Sequence, residues 1–365
     1  MFEDIRPYRD HEVADVLQKL SNEAELINAI ATFWAPKLTR YFPSLTCKAV
    51  QWSLKRKSKQ WHTVDDIQLH VADYLHQLVE KSTQGFTFSG IENFDVSKPT
   101  LFISNHRDIV LDVALIDWAL FKNNIPTVEA AVGDNLLSKE WVADLMRINK
   151  SFIVKRNEKT KRAMLTASKQ LSAYIHHSLN DNKQNIWIAQ REGRAKDGLD
   201  KTNAALISML LLNKEKSMPI GEYLTQLNIV PVSISYEFDP CDHDKAIELA
   251  HTETSGEYQK ADDEDLKSIT RGLIGQKGRV HIAFGEPIAG DFADSKAIAA
   301  EIDKQIISNY KLYESNQSAY NALKSDNQEA ELIPQLLDRV SQLTDKQKHW
   351  LLTMYANPVF AKESL

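Results

Sequence analysis

The residues best equipped for chemistry lie in one stretch, Asn105-His106-Arg107-Asp108-Ile109-Val110-Leu111-Asp112, where a histidine follows a short apolar run and two acids follow the histidine. Beyond it, Ile109 to Phe121 would be plain core but for Asp112 and Asp117 among Val, Leu, Ile and Trp. A carboxylate on so apolar a helix needs a partner, because unpaired burial is costly or shifts its pKa until it neutralises. A candidate cation close by in sequence is His106. A carboxylate on one imidazole nitrogen fixes the tautomer and stabilises the imidazolium, which leaves the other nitrogen to take a proton from a hydroxyl. No serine or cysteine adjoins His106. The simplest chemistry is therefore general-base activation of a substrate hydroxyl with no covalent enzyme intermediate. The same residues also fit a structural role, with Asp108 capping the helix, Asp112 bonded to backbone or an arginine, and His106 a turn residue.

Something must place this histidine. From Gly85 the pattern is one of short apolar strands alternating with helices, which predicts an α/β fold with a mixed, mostly parallel sheet covered by helices. Strands are expected at Thr100–Ser104, Thr127–Val132, Asn185–Ala189, Ile229–Ser235 and Arg279–Phe284, and helices at Ile109–Phe121, Lys139–Leu145, Thr160–Leu179 and Asn203–Leu212. Ligands of open α/β sheets bind beyond the carboxyl ends of strands. Two expected strands end in chemically capable residues, one at His106 and one at Gln190-Arg191-Glu192-Gly193-Arg194-Ala195-Lys196-Asp197-Gly198. In the second, Gly193 and Gly198 allow a tight bend, and Arg194, Lys196 and Lys201 are charged donors suited to a phosphate. A solvated loop fits as well, and no GxxxxGK[ST] or GxGxxG nucleotide motif is present.

Flanking this core, residues 1–84 read as an N-terminal helical region, 85–290 as the α/β domain, and 291–365 as a C-terminal helical extension with Ile298, Ile302, Ile306 and Ile307 on one face. Between the N-terminal helices, Lys48 to Trp61 interleaves Lys55, Arg56, Lys57 and Lys59 with Trp52 and Trp61. This is either a solvated helix face or a surface for anionic lipid, where Lys and Arg are attracted and Trp prefers the interface. The 365 residues carry a net charge of −6, which argues against a general nucleic-acid binder. No apolar run is long enough to span a bilayer and the start is unlike a signal peptide, so the expected location is cytoplasmic, peripheral on the inner face of the membrane. Cys47 and Cys241 offer neither a disulfide framework nor a zinc site.

Taken together, four segments resemble, in order, the motif blocks of the glycerolipid acyltransferase superfamily, the glycerol-3-phosphate and 1-acyl-glycerol-3-phosphate acyltransferases. Asn105-His106 through Asp112 looks like the catalytic NH(x4)D block, and Ser151-Phe152-Ile153-Val154-Lys155-Arg156 like the second block. Glu192-Gly193-Arg194 through Gly198, with Lys201, is similar to the EG-R-S block, and Ile229-Val230-Pro231-Val232 through Glu237 to the fourth. One departure is plain: five residues separate His106 from Asp112 where the family has four. A longer loop before the helix, or a π-bulge, would absorb the extra residue.

The resemblance implies that His106 is the base and Asp112 orients it. It further implies that Lys155, Arg156, Arg194 and Lys201 hold the acceptor's phosphate, that Glu192 and Gly193 shape the pocket, and that Pro231 shapes the acyl or thioester side. The implied reaction takes a fatty acyl group from acyl-CoA or acyl carrier protein, as co-substrate, to a hydroxyl of glycerol-3-phosphate or a lysophospholipid, with no cofactor and no metal. Two alternatives stand beside it: a thioester or ester hydrolase using the same histidine, and a noncatalytic lipid-binding member of the fold.

Overall fold

The computed structural model describes residues 2–137, 139–261 and 264–365. By packing, the chain forms two units, Met1–Tyr74 with Glu129–Tyr174, and Leu75–Val128 with Ile175–Leu365. These are units of packing, whereas the three-part reading above follows the order of elements along the chain.

The larger unit is built on five strands: β1 (Gly85–Ser89), β2 (Leu101–Ser104), β5 (Asn185–Ala189), β6 (Ile229–Tyr236) and β7 (Arg279–Phe284). Their order is β1-β7-β6-β2-β5. Strand β2 runs parallel to both β5 and β6, β1 runs parallel to β7, and β6 and β7 are antiparallel. The sheet is thus mixed and mostly parallel, as the sequence pattern implies. Every residue of β2 and β6 is buried, which explains why they read as unbroken apolar runs rather than alternating ones. Because β2, β5 and β6 are parallel neighbours, the segments leaving them emerge at one edge of the sheet, and those segments begin at Asn105, Gln190 and Glu237.

The smaller unit holds the helices Asp10–Leu20, Ala24–Trp34, Pro36–Tyr41 and Pro43–Ser58. Its remaining strands are β3 (Val128–Gly133) and β4 (Ser151–Val154), parallel from Ala130↔Ser151 to Gly133↔Val154. Val13, Val16, Leu17, Leu20 and Leu26 form a core there with Ile67 and Ile148. All five strands expected from sequence are present within a residue or so of their expected ends. Strands β1 and β4 were not expected: β1 is half polar at Thr87 and Ser89, and β4 is only four residues long. Among the described residues no helix is long and apolar enough to cross a membrane.

The C-terminal helices Ser295–Asn309, Glu314–Lys324, Pro334–Val340 and Asp345–Glu363 belong to the larger unit. Leu336, Val340, Leu351, Leu352 and Tyr355 bury themselves with Phe238 and Ala246, so this extension packs on the chain that follows β6. It also reaches the loop after β5. Asn357 Nδ2 donates to the Asp197 carbonyl at 2.7 Å. Gly198, at φ +79°, lies so close that a Cβ would sit 2.1 Å from the Met354 carbonyl oxygen. The bend at Gly198 therefore serves the approach of the C-terminal helix, where the sequence suggested a ligand. Gly193 has φ +73° but open space where its Cβ would be. Gly193→Ala should consequently cost only the left-handed backbone strain, about 1–2 kcal/mol. Gly198→Ala adds a clash with backbone and should cost about 2–5 kcal/mol. Urea midpoints of the two variants check the difference.

Candidate active site

Strand β2 ends at Ser104, and the chain then continues the ladder with a side chain. The Asn105 carboxamide donates from Nδ2 to the Ile234 carbonyl at 3.0 Å and accepts from the Ile234 N–H at 2.8 Å. It thereby stands in for a peptide group and lets the backbone leave the sheet without stranding Ile234. His106 follows at this exit. Its carbonyl accepts the Ala195 N–H at 2.7 Å, and its ring lies edge-on to Trp187, with centroids 5.9 Å apart. Trp187 is itself fixed by its Nε1–H, which donates to Ser104 Oγ at 2.9 Å.

His106 Nδ1 is 2.9 Å from Asp112 Oδ2. The Asp112 side chain is 0% exposed and the His106 side chain 14% exposed. Among the described residues His106 Nε2 has no hydrogen-bond partner. Asp112 Oδ2 also accepts the backbone N–H of Arg107 at 2.6 Å and of Asp108 at 2.9 Å, while Oδ1 accepts the Tyr236 hydroxyl at 2.9 Å. Burial pushes the Tyr236 phenol well above its ordinary range, and the charges of Asp112 and Asp108 add to this, so it remains a donor. The imidazole is held from one side by a buried carboxylate and is open on the other. That is the arrangement a general base requires.

The helix begins at Leu111, two residues later than its apolar pattern suggested, so Asp112 is its second residue rather than a turn further in. Asp108 does cap it, accepting the N–H groups of Val110 at 3.0 Å and Leu111 at 2.8 Å through Oδ1. The five-residue spacing is absorbed in this non-helical stretch before Leu111; the helix itself is regular. Burial and the neighbouring Asp112 push the Asp108 carboxyl up, against the pull of those amides. Asp117, the other acid in the apolar helix, accepts the Val128 N–H at 2.8 Å.

The loop after β5 is tied to this exit through Arg107. Its guanidinium pairs with Asp200 at 2.6 Å, donates to the Gly198 carbonyl at 3.1 Å, and lies 5.7 Å from the Tyr310 ring centroid. Burial opposes the Arg107 charge, but Asp200, Tyr310, Asp239 and Asp112 together outweigh it and raise the pKa of the guanidinium. Asn105 Nδ2 donates to the same Asp200 oxygen at 3.1 Å. Arg194, in that loop, is 9% exposed, and among the described residues no hydrogen bond or ion pair engages its guanidinium. A buried, unengaged guanidinium is suited to an anionic ligand.

The remaining expected residues fall as follows. Glu192, Gly193 and Lys201 are exposed on the loop after β5. Pro231 is buried within β6 beside Ile103, its carbonyl accepting the Gly285 N–H at 2.8 Å, so its contact is with the sheet beneath the site. Lys155 and Arg156 follow β4 in the smaller unit. There Lys155 pairs with Asp4 and reaches Gln170 Oε1 at 3.4 Å, and the Arg156 N–H donates to Asp134 at 3.1 Å. Sequence reasoning missed Tyr236 and Asp200. Asp200 carried no visible signal, whereas Tyr236, a hydroxyl ending an apolar strand parallel to the one that ends at His106, did carry one.

Residues 85–235 match a family model described as Acyltransferase. No curated protein matches the chain. Among solved structures it is similar to the 1-acyl-sn-glycerophosphate (LPA) acyltransferase PlsC from Thermotoga maritima, with 12% identity and a TM-score of 0.38 over 78% of this chain and 95% of that one. The matched segment contains the first three of the four motif blocks and the fourth as far as Ser235. Residues 85–235, a little under half of the chain, are thus similar to the Acyltransferase family.

Proposed function

We propose that this protein is an acyltransferase that moves a fatty acyl group from the thioester of acyl-CoA or acyl carrier protein to a hydroxyl of glycerol-3-phosphate or 1-acyl-glycerol-3-phosphate. The observation that carries the reading is the His106–Asp112 pair, 2.9 Å apart, with Nε2 unengaged. His106 Nε2 takes the proton of the acceptor hydroxyl as its oxygen attacks the thioester carbonyl carbon. The C–S bond then breaks, and the leaving thiolate takes the proton from the imidazolium. Asp112 stabilises that imidazolium, and no bond to the enzyme forms. Arg194 supplies a charged fork for the acceptor's phosphate, supported by its burial with no hydrogen bond or ion pair among the described residues. Lys201 lies in the same loop, exposed to solvent.

The acceptor or product of such a reaction lies in a membrane, and the smaller unit offers a surface suited to one. No Asp or Glu occurs between Glu25 and Asp65, while seven Lys and Arg do, so the chain's −6 is +7 here and −13 elsewhere. On the same helices Trp34, Leu38, Tyr41, Phe42, Leu45 and Trp52 are all more than half exposed. Arg56 lies over the Trp52 ring at 5.4 Å. Aromatic and aliphatic side chains among uncompensated cations favour peripheral docking on anionic lipid.

Thiol release from acyl-CoA or acyl carrier protein, measured with and without acceptor, tests the reaction. Release that requires an acceptor supports transfer, release without one points to hydrolysis, and none points to a noncatalytic binder. His106→Ala should abolish turnover with the circular-dichroism spectrum unchanged. Asp112→Asn should lower kcat about 10³–10⁴-fold, whereas Asp108→Asn, whose side-chain oxygen can still cap Val110 and Leu111, should stay within about threefold. Arg194→Ala should raise the acceptor KM far more than the donor KM. The same measurement on Lys155→Ala and Arg156→Ala tests the part that the resemblance gives those two. Changing Lys55, Arg56, Lys57 and Lys59 to Gln should weaken sedimentation with anionic liposomes and leave neutral ones unaffected; unchanged sedimentation would return the patch to a solvated face.

A further inference from the structure

We propose that Tyr236 is a positioning residue of the reaction, acting through Asp112 and never on substrate. This rests on the reading of His106 as base. The two oxygens of Asp112 are unequally engaged: among the described residues Oδ2 takes the imidazole and two backbone amides, whereas Oδ1 takes only the Tyr236 hydroxyl at 2.9 Å. A carboxylate can rotate about its Cβ–Cγ bond, and three donors crowded on one oxygen leave that rotation to be fixed from the other. Tyr236 fixes it. As the last residue of β6 it is buried and anchored by its pairing with Val280 of β7, so its hydroxyl is placed by the sheet rather than by a loop. It lies one residue beyond the segment matched to the family and within the fourth motif block, at a position to which the resemblance gives no role.

A second contact supports the same carboxylate from behind. Lys245, on the helix Asp242–Ser255, is 1% exposed and donates to the Arg107 carbonyl at 2.7 Å. That carbonyl and the Asp108 N–H belong to one planar peptide unit, so a cation on its oxygen aims and polarises the N–H that bonds Asp112. Asp239 balances the Lys245 charge. With the Asp108 amide aimed in this way, the Tyr236 hydroxyl on Oδ1 sets the carboxylate's rotation and shares its charge with His106.

The charged and titratable groups around Asp112 are His106, Arg107 and Asp108 on its own segment, Asp200 after β5, Asp239 and Lys245 after β6, and Tyr310 before the C-terminal helices. Tyr236→Phe changes none of these and removes only the hydroxyl. A carboxylate that has lost a donor holds the imidazolium more strongly, so the acid limb of the kcat/KM–pH profile should move to higher pH, by about half a pH unit. In the full chain, with acceptor-dependent thiol release as readout, kcat should fall about tenfold while both KM values stay within about twofold. A merely structural role would lower the thermal midpoint and leave the acid limb in place. Tyr236→Phe with unchanged kcat and acid limb, beside an inactive His106→Ala, overturns this inference alone. An active His106→Ala overturns the base reading and this inference together.

Discussion

The constraint on which the site depends is that a carboxylate, Asp112, is completely buried. In that environment its charge must be met by hydrogen-bond donors, since an unmet charge of this kind costs more than most domains have in reserve. Four donors meet it, and they come from three places: the imidazole of His106, the amides of Arg107 and Asp108, and the phenol of Tyr236. Each is placed by something the fold must do anyway. The amides are left free because the chain departs from β2 before the helix begins, and the phenol arrives because β6 runs on to Tyr236, well past Val232, where β2 stops beside it.

Parallel pairing explains why so many distant segments meet here. With β2 between β5 and β6, whatever follows each strand is delivered to the same edge, and the exit of β2 is flanked on both sides. The Ala195 N–H on the His106 carbonyl, the Arg107–Asp200 pair and the Asn105 bonds to Ile234 and Asp200 stitch those exits together. Once they are stitched, the C-terminal helices can press on the loop through Gly198 and Asn357. A region that showed no chemistry in its sequence thus shapes the loop that carries Arg194.

What could be read from sequence, and what could not, follows from the range of the signals. The five apolar runs and the histidine at a strand end are local patterns, and each strand is where its pattern put it. The pairing of His106 with Asp112 was legible because the helix left an acid with no other evident partner. Strand β1 was hidden by its polar alternation, and the start of the helix was misplaced because Ile109 and Val110 are as apolar as the residues that follow. Asp200 and Lys245 were invisible for a different reason. Their partners, Arg107 and its carbonyl, lie about a hundred residues away or more, and nothing local marks a charge that will be buried.

The five-residue spacing between His106 and Asp112 shows where a local argument can be correct in its premise and irrelevant in its application. One inserted residue rotates a side chain by about 100° about a helix axis, which would ruin any pairing between two residues on one helix. His106 is not on the helix. It is fixed by the β2 exit, and Asp112, as the second residue of the helix Leu111–Lys122, reaches back over the helix N-terminus toward free amides. What sets the His–Asp distance is therefore capping geometry, in which Oδ2 must sit on the Arg107 and Asp108 amides whatever lies between. Asp108, by holding the Val110 and Leu111 amides, closes the longer loop into a compact turn and returns the helix start to the place where Asp112 can do so. The acid that looked like a rival to Asp112 is the residue that makes the longer spacing workable.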